Sequence, residues 1–342
     1  MDKAVKIVLD ACGGDNAPDE IIKGAYEALK KKENLHIIFA GPEDEIKQKV
    51  ENYTDIPTDR VSYCNATEVI EMAEPPVKAI RSKKDSSIVK GLTLVKNGEA
   101  DAFVSAGSTG AILVGGQLIV GKQRGVKRAP LAPIMPTMNG VTLLIDCGAN
   151  VDARPEHLVS FAKMGSIYME NVLKKKNPTV GLLSIGTEEE KGNALVKETL
   201  PLLKECEDIN FIGPVEARDL PFGVADVVVT EAFAGNIALK MYEGTAKMLM
   251  KVLKESLTAN LRSKLGAAMA LPSLKEHMKA FDASRYGGAP LLGLKGLVVK
   301  AHGSSTAVEI NNAILQCMVF FKEDINGKIA AEMNTEENSN GI

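Results

Sequence analysis

The segment VKIVLDACGGDNAPDEIIKGAYEALKKKENLHIIFA, residues 5–40, decides the fold class. VKIVL is a short β-branched run, EIIKGAYEALKK has apolar residues at helical spacing, and LHIIFA is a second β-branched run. Strand, glycine-rich turn, helix and strand in this order read as an α/β unit with parallel strands, since a helix supplies the crossover that parallel pairing needs.

Working outward, the alternation continues. EDEIKQKVEN follows the second strand, AFVSA at 102–106 precedes the helical run TGAILVGGQLIV, and VTLLID, TVGLLS, INFIG, ADVVVT and GLVVKA recur as strands down to residue 301. The sheet is therefore predicted to be mostly parallel. No composition break or flexible linker divides the chain, which predicts one α/β domain over residues 1–330. Residues 243–285 are nearly all helical pattern and predict an inserted helical hairpin protruding from the layers. The tail from Ala331, AEMNTEENSNGI, is polar and is expected to be disordered.

Composition bounds the function. The 342 residues are 45% hydrophobic and 25% charged, an ordinary globular composition, and the formal net charge is −3. That balance argues against a general nucleic-acid binder, which needs a concentrated basic face. Cys12, Cys64, Cys147, Cys206 and Cys317 are scattered singly, so neither a disulfide framework nor a metal site is indicated. The apolar stretch at the N-terminus is too short for a signal peptide, and no run of 18 apolar residues occurs, so a cytoplasmic location without a spanning helix is expected.

The informative segments follow the strands: DACGGDNAP (10–18), SAGSTG (105–110), DCGANVD (146–152), IGTEEEKGN (185–193), EAFAGN (231–236) and KAHGSS (300–305). In a parallel sheet such turns share the carboxyl edge, where glycines admit close backbone approach and helix N-termini face anions. Converging turns of this kind predict a phosphate-sized anion site. GGDNAP is neither a dinucleotide fingerprint nor a Walker A loop, and AGSTG lacks the first glycine of a nucleophile elbow. Ser108 thus stands open between a helix cap, a substrate-binding hydroxyl and a covalent nucleophile.

These turns resemble those of the PlsX family of acyl-carrier-protein:phosphate acyltransferases. The resemblance is carried by LDACGGDNAP, EPPVKAIRSKKDSS (74–87), DAFVSAGSTGA (101–111), LLIDCGANVD (143–152), EHLVSFAKMGSIY from Glu156, LLSIGTEEEKGN from Leu182, ADVVVTEAFAGNIALK from Ala225, YGGAPLLGLKG from Tyr286 and KAHGSS from Lys300. It runs in order from about residue 4 to about residue 325. Two positions depart from the family pattern: Cys12, where methionine is expected, and Glu231-Ala232, where Asp-Gly is expected. The resemblance implies a Rossmann-like three-layer α/β/α sandwich, a homodimer, and reversible transfer of a long-chain acyl group from acyl carrier protein to inorganic phosphate. It further implies that a membrane acyltransferase consumes the acyl phosphate to acylate glycerol 3-phosphate.

The chemistry suits the residues. Phosphate near neutral pH is largely dianionic and already nucleophilic, and a pantetheine thiolate leaves readily. The site must orient phosphate and stabilise an oxyanion, so no metal or redox cofactor is expected. Of the four histidines only His302 lies in a strand-end glycine turn; it reads as proton shuttle or oxyanion donor, or as a structural residue ordering the turn. Lys191 and Lys300 are candidate phosphate cations, with surface lysines as the plain alternative. The phosphate and substrate candidates are Asp10, Gly13, Gly14, Asp15, Asn16, Arg81, Lys84, Ser105, Gly107, Ser108, Thr109, Asn150, Asn193, Glu231, Asn236 and Ser304. Asp10, Asp15 and Asn16 chiefly shape the first loop by side-chain-to-backbone bonds.

Acyl carrier protein is acidic, and GKQRGVKR supplies Lys122, Arg124, Lys127 and Arg128 as a docking patch, if it is more than a soluble loop. Leu261, Leu265, Met269 and Leu271 of the hairpin are candidates for an acyl groove, a dimer surface or peripheral contact with an anionic membrane, against ordinary helix packing. The rival reading is a phosphate acetyl- or butyryltransferase acting on acyl-coenzyme A.

Overall fold

A computed structural model describes residues 4–281 and 283–339. In chain order it begins with β1 (Val5–Asp10), α1 (Asp19–Lys31), β2 (Leu35–Gly41), α2 (Glu43–Val50), β3 (Val61–Asn65), α3 (Pro76–Ser82), α4 (Ser87–Lys96), β4 (Ala102–Ser105) and α5 (Thr109–Gly115), which runs on as a π-helical turn to Val120. Then come β5 (Ile134–Thr137), β6 (Gly140–Ile145), α6 (Pro155–Asn171), β7 (Thr179–Ser184), α7 (Ala194–Lys204), β8 (Asn210–Glu216), β9 (Val227–Val229), α8 (Ala232–Thr258) and α9 (Leu261–Met278). The chain closes with β10 (Ala289–Leu291), β11 (Leu297–Lys300), α10 (Ala307–Lys322) and α11 (Ile325–Ser339).

The chain divides into two compact units. The first comprises the stretch up to Pro133, Ile167–Lys176 and the part from Ser284 onward; the second comprises Ile134–Ser166 and Asn177–Ala283. Two units thus stand where the unbroken pattern suggested one continuous domain. The sequence shows no linker because one crossing falls inside α6, one at the start of β5 and one inside the short 3-10 helix Ala283–Tyr286.

The first unit holds a six-stranded sheet in the order β10-β11-β4-β1-β2-β3, parallel except for β10. Its central strands β1, β2 and β4 are fully buried at Ile7, Phe39 and Phe103. Helix α1 forms because Ile21, Ile22, Ala25, Ala28 and Leu29 make one apolar stripe, with Asp19 and Glu20 in the first turn and Lys30 and Lys31 in the last, matching the helix dipole. Helix α4 reaches the sheet at Gly91, where a Cβ would come within 2.4 Å of the Phe103 ring. Truncating Phe103 to alanine would cost about 3–5 kcal/mol.

The second unit holds a five-stranded sheet in the order β5-β6-β9-β7-β8, parallel except for β5. Met135, Leu144, Val215, Leu220 and Val228 form part of its core, with Tyr242 of α8 packed against them and donating to the Pro136 carbonyl at 2.6 Å. The architecture is α/β with mostly parallel sheets, as the alternation predicts. β3, β5 and β10 escaped the reading, each being short and at a sheet edge.

Two boundaries differ from expectation. The hairpin is α8 and α9, and its first arm starts at Ala232 rather than near residue 243. The segment expected to be a disordered tail continues α11 as far as Ser339, because Ile325, Ile329 and Met333 fall at four-residue spacing and are all buried; the predicted boundary at Ala331 cut through this stripe. Residues 340–342 of that tail lie outside the described residues.

Candidate active site

Three neighbouring strands of the first unit, β1, β4 and β11, end at one edge, delivering Asp10, Ser105 and Lys300 side by side. Ser105 Oγ donates to Asp10 Oδ2 at 2.5 Å and accepts the Gly107 N–H at 3.0 Å. Asp10 Oδ1 accepts the Cys12 N–H at 3.1 Å. Burial pushes the Asp10 carboxyl above the usual carboxylate range, while bonds from Ser105, Ser87 and Cys12 N–H and the nearby Lys300 ammonium pull it back. Lys300 is itself buried, its Nζ donating to the Ala106 carbonyl at 3.4 Å and to the Ala301 carbonyl.

The turns interlock through glycine. A Cβ on Gly13 would lie 2.4 Å from Asp10 Oδ2 and 2.7 Å from the Gly107 nitrogen. Gly14 has φ +98° and would meet Ala106 Cβ and the Gly303 carbonyl, each at 2.8 Å; only glycine accepts both the angle and the approach. The third turn is stitched to the first: Asp15 N–H donates to Gly303 O at 2.8 Å, and Asn16 Nδ2 donates to the Ser304 and Ser305 carbonyls at 3.2 Å. His302 stands exposed on that turn, its Nδ1 accepting the Ser304 N–H at 3.2 Å and lying 2.8 Å from Ser304 Oγ. With Nδ1 an acceptor, the neutral imidazole carries its proton on Nε2.

A cleft of about 170 Å³ opens at this edge, lined by Asp10, Cys12, Gly13, Gly14, Asp15 and Gly107 on one side and by Ser87 and Ile88 on another. The latter pair begins α4, whose cap is Ser86, so the positive end of the helix dipole faces the cleft. The remaining wall is a strap, Val69–Met72. The strap is tied down at both ends: Thr67 donates to Asp85, Asp85 N–H donates to Glu68, and Lys83 pairs with Glu74 and donates to the Val69 carbonyl.

Asp10, Gly13, Gly14, Asp15, Asn16, Ser105, Gly107, Lys300, His302 and Ser304 are therefore brought together. Ser108 caps α5, accepting from Ala111 N–H at 3.4 Å, and Thr109 opens that helix. Arg81 is exposed with no ion pair among the described residues, and Lys84, just past the end of α3, donates back to Ile80 O. In this segment it is Lys83 and Asp85, between and beside them, that hold the strap. Sequence reasoning also missed Ser87 and the strap itself. Ser87 carried a faint signal, as the residue after a cap in DSS, whereas EVIEMAEPP has no motif to read.

The basic segment Lys122, Arg124, Lys127 and Arg128 lies elsewhere. Gln123 N–H donates to Gly293 O and Lys122 pairs with Leu294, on the turn that leads into the amino end of β11. Residues 109–120 span about 18 Å at 1.5 Å per residue, so the segment and the cleft occupy opposite edges of one sheet.

The other predicted residues belong to the second unit. Asn150 is buried in the turn after β6, its N–H and Nδ2 donating to Asp146 Oδ2 at 2.8 and 2.7 Å. Glu231 caps α8, its two oxygens accepting from Phe233 and Ala234 N–H at 2.6 and 2.7 Å, and Asn236 is exposed one turn on. Asn193 caps α7 through Val196 N–H at 3.0 Å, and Lys191 is exposed beside it. The longer Glu231 side chain thus finds full employment as a cap. On α9, Leu261, Leu265, Met269 and Leu271 are all exposed, Met269 at 87%. Among the described residues no cluster of three metal-ligating side chains occurs, and no helix is long and apolar enough to cross a membrane.

The signature of a family described as fatty acid synthesis protein matches residues 5–328. A phosphate acyltransferase of Clostridium botulinum is 50% identical over 329 residues, covering 96% of this chain and 98% of its own. One from Bacillus pumilus is 49% identical over 333 residues, covering 97% and 98%. Among solved structures, a phosphotransacetylase from Streptococcus pyogenes aligns with TM-score 0.60 at 19% identity, covering 94% and 95%. The EutD phosphotransacetylase of Staphylococcus aureus aligns with TM-score 0.57 at 20% identity, covering 92% and 94%. These two likenesses concern the fold.

Proposed function

The chain belongs to the fatty acid synthesis protein family and is an acyltransferase; from that premise we propose that it moves a long-chain fatty acyl group reversibly between acyl carrier protein and inorganic phosphate. The observation that carries the reading is the cleft of glycine turns with the α4 N-terminus on its flank, a cradle for a small dianion.

In this reading phosphate sits against Gly13, Gly14 and Gly107, with Asp10 kept from repelling it by the bonds from Ser105 and Cys12 N–H. A phosphate oxygen attacks the thioester carbonyl carbon, the new C–O bond forms, and the C–S bond breaks. The proton carried by hydrogen phosphate reaches the departing thiolate through solvent, and His302 donates its Nε2–H to the oxyanion that forms as the carbonyl is attacked. Lys300 acts through the 105–107 turn, holding Ala106 in place. Orientation and fixed donors supply most of the acceleration.

The acyl phosphate so formed is an activated acyl donor, suited to a membrane enzyme that acylates glycerol 3-phosphate. The stripe Leu261, Leu265 and Met269, at four-residue spacing and exposed, supports burial of α9 against a second copy or an anionic lipid surface. Leu265→Glu separates these: sedimentation reads the first and vesicle flotation the second.

The test mixes the protein with palmitoyl-acyl carrier protein and phosphate and follows free thiol, with hydroxylamine trapping the acyl phosphate. Phosphate-dependent release from the carrier supports the reading. Release from palmitoyl-coenzyme A alone moves the protein to the phosphotransacetylase type, and release from neither removes the proposal.

A further inference from the structure

A second cavity, of about 230 Å³, adjoins the glycine cleft and shares Cys12, Gly14 and Val69 with it. Its other walls are Ala11, Ala17, Pro18, Pro42 and Ile46, with Glu45 exposed at the mouth. The two cavities differ in balance: the first presents a carboxylate, glycine backbone and a helix N-terminus, the second mainly aliphatic side chains, with backbone and the Glu45 carboxylate as its polar part. Cys12 stands where they meet. A Cβ on Gly41 would lie 2.9 Å from Ile46 Cδ1 and 3.0 Å from Cys12 Sγ, so the bare glycine at the end of β2 lets these two side chains pack as one wall. Burial, reinforced by the charge of Asp10, pushes the Cys12 thiol up to about 11. It is thus a small neutral apolar group and no nucleophile.

We propose that this second cavity receives the carbons of the acyl chain nearest the thioester carbonyl, and that Cys12 and Val69 form the gate whose size sets which acyl groups pass. The inference rests on the acyl-transfer reading above. A carbonyl placed over the glycine turns has its polar side in the first cavity, and its hydrocarbon finds an adjoining aliphatic wall that shields it from water.

The experiment measures kcat/KM for thioesters of four, eight and sixteen carbons with wild type, Cys12→Met, Cys12→Phe and Val69→Phe. Val69 is 39% exposed, so its substitution tests the gate without disturbing a packed core. Closing the gate is expected to lower kcat/KM for the long acyl groups by about tenfold or more, the discrimination a filled hydrophobic pocket gives. The ratio of kcat/KM for the four-carbon thioester to that for the sixteen-carbon thioester should therefore rise by about tenfold or more. Equal loss at every chain length in both phenylalanine variants, with folding intact, or no loss in either, would overturn the gate. Failure of the wild type on all thioesters would instead count against acyl transfer itself.

Discussion

Ser105 Oγ lies 2.5 Å from Asp10 Oδ2, a hydrogen bond between the ends of two adjacent parallel strands, 95 residues apart in sequence. The same hydroxyl oxygen accepts the Gly107 N–H, so one side chain fixes both the carboxylate and the turn beside it. Ser105→Ala strands a buried carboxylate oxygen and a backbone N–H. The expected cost is about 1–3 kcal/mol of stability, seen as a lower urea midpoint, with loss of thiol release exceeding what that cost explains because the cradle loses its shape.

Asp10 itself sets a pH dependence. Its folded pKa is raised above the ordinary 3.8, so the native state holds a proton over a window in which the unfolded chain has released it. Stability from this group is present below 3.8 and is lost as pH rises through the folded value. Asp10→Asn abolishes that contribution. The stability difference, wild type minus variant, should therefore fall as pH is raised from 3.8 upward and then level off; a difference rising with pH would contradict the assignment.

The strands and helices that build this edge were legible because each β-branched run ends in a glycine turn and each helix keeps its apolar spacing. The glycine turns named the cleft for the same reason: Gly13, Gly14 and Gly107 occur where backbones touch. What escaped depends on contacts distant in sequence. Ser87 matters through Asp10, and the strap matters through Lys83, Glu74 and Asp85, none of which follows from local pattern. For GKQRGVKR the charge can be read from sequence, whereas the edge of the sheet it occupies cannot.

Gly235 and Gly244 lie on one helix, α8, and should respond oppositely to alanine. A Cβ at Gly235 would fall 2.0 Å from the Asp146 carbonyl, whereas nothing lies within 4 Å of one at Gly244. Gly235→Ala is expected to destabilise by about 1–3 kcal/mol through overpacking, and Gly244→Ala to stabilise by up to about 1 kcal/mol through helix propensity. Denaturation midpoints of the two variants decide it.

Charge reversal locates carrier docking. Arg81 is exposed on α3, next in sequence to the strap, and Pro76 of that helix packs on Gly110 at the start of α5. Arg128 is exposed at the opposite edge. Arg81→Glu should raise KM for acyl carrier protein and weaken the salt dependence of its kcat/KM, as loss of a complementary charge does, while Arg128→Glu stays near wild type. The reverse ranking would return docking to residues 121–128.

His302 offers the sharpest division between a chemical and a structural role. The turn it occupies is held without its imidazole: Asp15 and Asn16 bond to the carbonyls of Gly303, Ser304 and Ser305. What the ring adds is an Nε2 proton kept in place by Ser304 N–H on Nδ1. His302→Gln should therefore leave the thermal midpoint and phosphate KM nearly unchanged and lower kcat by about 10²–10³, the range of a lost oxyanion donor. Ser304→Ala keeps its N–H on Nδ1 and removes only the hydroxyl, so its loss should be much smaller. If His302→Gln instead lowers the midpoint and leaves kcat of the folded fraction intact, the histidine orders the turn, and the oxyanion is held by other donors.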